Sequence, residues 1–168
     1  MTTGLMLLLA CGVLPGAGSP TVRDLARADT SQLEAMFRQA APMDWFPAGD
    51  WKGRVFPSPG KRSNGWKGAV LGLGWLGKRF DVSKGIMTNR LPLGTAVPAR
   101  MSIRPSSLDG HDCLVLDYAG VQGKLTKWVE TVHDEVREVA PGVLLGFMTN
   151  SSRPNDPPLW FVLEKGKR

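Results

Sequence analysis

Cysteine is nearly absent from this chain, with 2 in 168 residues. Cys11 lies inside an N-terminal apolar run, so its removal or modification leaves Cys113 alone and excludes an internal disulfide framework. Cys113 itself sits in the apolar Cys113-Leu114-Val115-Leu116 and reads as a buried, inert thiol. Histidine is as scarce, and no second His/Cys pair stands at ligand spacing near Asp109-Gly110-His111-Asp112-Cys113. A metal centre is therefore not expected, and Asp109-Gly110 reads as a hairpin turn. No serine occupies a Gly-x-Ser-x-Gly elbow. Gly72-x-Gly74 followed by Gly77 opens no helix and so is no phosphate loop. Basic residues occur singly or in pairs such as Lys61-Arg62 and Lys78-Arg79, concentrating only at Lys165-Gly166-Lys167-Arg168. The net charge of +6 is accordingly a dispersed surface charge. No basic stripe interleaved with aromatics exists to bind nucleic acid.

What is abundant is turn chemistry and aromatic mass. The 20 Gly and 13 Pro form about a fifth of the chain, against an average nearer ~12%. With 42% apolar residues, six Trp and six Phe, that composition describes a turn-rich β protein rather than a disordered one.

Leu5-Met6-Leu7-Leu8-Leu9-Ala10 is too short to span a bilayer, which needs about 20 apolar residues, but suits the core of a secretory signal. Leu8-Leu9-Ala10-Cys11 has the form of a bacterial lipobox, with Cys11 the lipidated residue. Ordinary cleavage near residue 19 and a misassigned start codon are the alternatives. Residues 1–19 are thus expected to be a signal peptide or lipoprotein signal, giving a secreted or periplasmic protein that Cys11 could anchor to the envelope. Residues 20–41 are a linker and a short helix. Ser31-x-x-Glu34 matches a capping box, and Leu33, Met36, Phe37 and Ala40 share one helical face before Pro42. Such a helix is expected to plug or cover an open barrel end.

Residues 42–165 form the barrel domain. Short apolar or alternating runs, at 51–56, 66–73, 75–82, 86–91, 97–104, 113–117, 128–139, 143–149 and 159–164, are separated by turn residues. Pro141-Gly142 suits the centre of a type II turn. About 8–9 strands without intervening helices exclude parallel crossovers and predict an antiparallel up-and-down β-barrel, with a two-sheet sandwich as alternative.

Gly49-x-Trp51-x-Gly53 opens this series. With Trp75-x-Gly77-Lys78-x-Phe80 and the segment Asp134 to Gly146, it resembles the GXWXG motif that names a family of uncharacterised, mostly bacterial proteins. Gly49-x-Trp51 after a short helix is also similar to the first-strand motif of the lipocalin (calycin) barrels. That resemblance implies a barrel binding a small, largely apolar ligand, with a basic side chain, here Lys165, lying over Trp51. Gly49, Trp51, Gly53 and Lys165 are then structural.

Trp66 and Trp75 are candidate pocket walls. Alternation over 128–139 puts Trp128, Glu130, Val132, Asp134, Val136 and Glu138 on one face, and Val129, Thr131, His133, Glu135, Arg137 and Val139 on the other. If the second face is lumenal, His133, Glu135 and Arg137 bind a ligand, with Glu135 tuning His133. If it faces water, the cluster is a solvated strand face. The function expected is binding of a small apolar molecule, lipid or acyl chain, without a cofactor. The alternatives are an enzyme using that lumenal cluster and a structural envelope module.

Overall fold

A computed structural model describes residues 19–56, 74–121, 123, 127 and 129–166. Among these, two helices precede eight strands: α1 (Val22–Leu25), α2 (Thr30–Gln39), β1 (Gly49–Val55), β2 (Gly77–Asp81), β3 (Ile86–Leu91), β4 (Gly94–Pro105), β5 (Asp112–Asp117), β6 (Val132–Ala140), β7 (Val143–Asn150) and β8 (Leu159–Lys165). Each strand pairs antiparallel with the next, and β8 returns to β1, closing an up-and-down barrel. The expected architecture is present. The expected strand at 66–73 and Trp66 lie outside the described residues, as do Cys11 and the signal segment.

The β6–β7 turn carries Gly142 at φ 72°, as the Pro-Gly reading requires. Helix α2 starts two residues earlier than Ser31-x-x-Glu34 suggested. Asp29 caps it, accepting from the Gln32 amide at 2.9 Å while Gln32 Oε1 accepts from the Asp29 amide at 2.9 Å. Glu34 instead pairs with Arg38, one turn along the helix.

The helices do not cover a barrel end. They lie on the outer wall, where Leu25, Leu33 and Phe37 form a core with Cys113, Val115, Leu145, Phe147, Trp160 and Val162. The second core fills the lumen with Trp51, Phe80, Met87, Leu114, Val136, Leu144, Phe161 and Leu163, joined by Met43 from the segment after α2. Strands β5, β7 and β8 are therefore buried on both faces, which is why they read as continuous apolar runs rather than as alternation.

Trp51 closes one end of the lumen. It is buried, meets Phe80 edge-to-face at 6.4 Å, and has Lys165 Nζ 5.1 Å from its ring centroid. Lys165 also donates to the Ala48 carbonyl, and Trp51 Nε1 does so at 3.3 Å. The glycines of this region are steric requirements. A Cβ on Gly53 would lie 2.3 Å from the Trp75 ring, and one on Gly77 (φ 130°) would lie 2.1 Å from the Trp51 carbonyl oxygen.

Candidate functional site

The outer and inner faces of β6 are decided by what covers them. Val132, Asp134 and Val136 point into the lumen, where Val132 and Val136 join the inner core. His133, Glu135 and Arg137 therefore point outward, and the expected lumenal His/Glu/Arg cluster does not exist. The physical reason is the apolar pair: Val132 and Val136 find their core inside, so strand alternation sends the three polar residues to the outer wall.

There the three residues do separate structural work. Arg137 is fully buried beneath α2, and every guanidinium N–H is engaged. Nε donates to the Asp112 carbonyl (3.2 Å), Nη1 to Phe37 O (3.2 Å) and Asp109 Oδ2 (2.6 Å), and Nη2 to Asp109 Oδ1 (2.7 Å) and His111 O (2.6 Å). The hydrogen bonds from Arg137 hold the Asp109 carboxyl down at about 2. Glu135 accepts from Ser106 Oγ at 2.5 Å and from the Ser107 amide at 3.0 Å, fixing the β4–β5 connection. His133 meets Thr149 Oγ1 at 2.8 Å and borders an outer groove that Arg104 and Glu130 also line. None of the three reaches the lumen. Cys113 is buried, as expected, and burial and then the Glu135 charge push its thiol up to about 12.

The lumenal polar site is a different set: Trp75, Lys78, Asn89, Tyr118 and Asp134. Lys78 sits on β2 facing inward, one residue after the Gly77–Trp51 approach, and is 2% exposed. Its three donors reach Asp134 Oδ2 (2.8 Å), Tyr118 Oη (2.9 Å) and Asn89 Oδ1 (3.1 Å). Tyr118 Oη donates to Asp134 Oδ2 at 3.0 Å and accepts from Asn89 Nδ2 at 3.2 Å. Trp75 Nε1 donates to Asn89 Oδ1 at 2.9 Å. Asn89 Nδ2 also donates to Val97 O, at 3.0 Å. Val97 is the extra residue of a bulge opposite Thr88 and Asn89, held at φ 53°. A β-branched residue in that region stores about 1–3 kcal/mol of strain, and such bulges are common where a strand is re-aimed beside a site.

Aromatic rings surround the ammonium, with Phe161, Trp75 and Tyr118 centroids at 5.2, 5.6 and 5.6 Å from Nζ. Burial opposes the Lys78 charge, but Asp134 and Tyr118 outweigh it and the pKa lies above the ordinary lysine value. Burial, with Asp134, pushes the Tyr118 hydroxyl up to about 12. At neutral pH the cluster thus holds a lysine ammonium beside a protonated tyrosine.

These groups line one side of a cavity of ≈ 50 Å³ whose other walls include Val55, Leu91, Val97, Val129, Val132, Met148, Leu159 and Phe161. One water needs about 10–15 Å³ on this measure, so the space takes a few heavy atoms but not a whole acyl chain. Trp75 is a pocket wall, as expected. Lys78, Asn89, Tyr118 and Asp134 were not expected. Their one sequence signal was Asp134, a carboxylate set between Val132 and Val136 on a strand face that also carries Glu130 and Glu138. Among the described residues no cluster of His, Cys, Asp and Glu could hold a metal ion.

Neither a protein-family model nor a curated protein matches the chain. A crystal structure of a protein from Thermomonospora curvata is similar. It has a TM-score of 0.58 and 22% identity, and the match covers 83% of this chain and 89% of that one. The likeness extends over the barrel and shows a shared fold.

Proposed function

We propose that this protein is a calycin-like barrel of the GXWXG type that binds a small, largely apolar ligand in its lumen. The observation that carries the reading is the cavity: apolar walls around one buried polar cluster, the usual make-up of a small-molecule site. The cavity volume favours a compact ligand, or the end of a longer one, over a fully enclosed acyl chain. The envelope location and lipidation of Cys11 belong to the same proposal and rest on the N-terminal apolar run. The enzymatic alternative loses its basis, because His133, Glu135 and Arg137 are engaged on the outer wall.

Binding of xenon, a compact apolar probe that a cavity of this size admits, followed by NMR at the Trp75 indole N–H, tests the proposal, with Met148→Phe as a variant that fills the cavity. Xenon should shift the Trp75 signal of the wild type, and the filled variant should not take it up. Equal uptake by both proteins, with Met148→Phe folded by circular dichroism, would refute lumenal binding.

A further inference from the structure

We infer that the lumenal site recognises a neutral ligand through a hydrogen-bond donor, specifically a hydroxyl group placed against Asp134 Oδ1. The inference deepens the lumenal-binding reading above and rests on it. Its ground is the hydrogen-bond inventory of the cluster. Lys78 has three N–H donors and all three are used. The Tyr118 hydroxyl proton goes to Asp134 Oδ2, both Asn89 amide protons go to Val97 O and Tyr118 Oη, and the Trp75 indole N–H goes to Asn89 Oδ1. Among these described residues donor capacity is exhausted. What remains is one acceptor: Asp134 Oδ1, on a side chain 1% exposed in the cavity wall, has no hydrogen-bond partner.

A buried carboxylate oxygen without a partner is costly, and a group that donates to it recovers that cost. The charge balance restricts the donor further. Lys78 and Asp134 neutralise each other, so a ligand bringing its own charge into this low-dielectric space would be left uncompensated. A carboxylate head is disfavoured twice, finding no free donor and facing Asp134 Oδ1. A neutral hydroxyl on a short apolar body satisfies the oxygen, matches the apolar walls and fits the volume.

The test compares 1-butanol, its isomer methyl propyl ether, and butanoate, with binding to the full chain followed by NMR at the Trp75 indole N–H. Butanol should bind about tenfold tighter or more than either comparison compound, since a hydrogen bond to a charged acceptor separates them. Equal affinity of butanol and the ether would overturn hydroxyl recognition while leaving lumenal binding intact. Preference for butanoate would overturn it too, assigning the head-group contact to Lys78. No shift at Trp75 with any of the three would overturn both readings together.

Discussion

Replacing both members of the Lys78–Asp134 pair at once, as Lys78→Met with Asp134→Leu, separates a functional ion pair from a structural one. Both side chains are almost fully buried, at 3% and 1% exposure, and 2.8 Å apart. Removing one charge leaves the other unpaired among Trp75, Phe161 and Val132, and such losses cost about 3–5 kcal/mol. Removing both returns the desolvation of two ions, and similar swaps elsewhere are neutral or stabilising by about 1–4 kcal/mol. Against that gain stands the Tyr118 hydroxyl, which loses Asp134 as acceptor at a cost of roughly 1–3 kcal/mol. The double variant should therefore lie within about 2 kcal/mol of the wild type, while each single variant falls well below it. Urea denaturation at pH 7, followed by tryptophan fluorescence, measures all four corners of the cycle. A double variant as unstable as the two single losses added together would show that the pair holds the barrel up, and the argument for a binding role would fail.

Gly53→Ala places a methyl carbon in the space of the Trp75 ring, so it should destabilise by about 1–3 kcal/mol and weaken xenon binding as the pocket wall moves. Gly166→Ala, with nothing within 4 Å of its added carbon among the described residues, should change stability by less than ~0.5 kcal/mol and serves as the control. The Asp109 carboxyl is held at about 2 in the folded state, below its value of 3.8, so its contribution is full above pH 4 and lost as pH falls toward 2. That contribution is about 2 kcal/mol, and Asp109→Asn should flatten the acid limb of a stability–pH curve. An unchanged acid limb in that variant would refute the Arg137–Asp109 account.

The barrel was legible because its signals are local. Turn glycines and prolines, short runs and a strand-opening Gly49-x-Trp51 each report on their own neighbourhood, and closure follows from each strand pairing antiparallel with the next. Lys165 over Trp51 was legible through the calycin resemblance. The site was not. On β6 both faces carry charge, and His133, Glu135 and Arg137 are chemically more suggestive than a single Asp134. What decides between the faces is where α2 lies, and that is a tertiary fact: Phe37 and Leu33 cover the outer wall and give Arg137 a buried place among backbone carbonyls. Lys78 likewise read as half of a surface Lys-Arg pair, although alternation buries Lys78 and exposes Arg79.

The outer helices make the barrel wall unequal in thickness. Over β5, β7 and β8 a second apolar layer backs the strands, whereas Lys52, Arg54, Arg79 and Arg100 on β1, β2 and β4 face solvent. Among the described residues a strand backed by one layer has fewer buried contacts than one backed by two, so the first openings are expected on the β1–β4 side. The polar cluster straddles that seam. Asp134 and Tyr118 stand on the stiff half, and Lys78 and Asn89 on the compliant one. Occupation of the lumen would then act as a brace between the halves, felt first as slower amide exchange in β2 and β3.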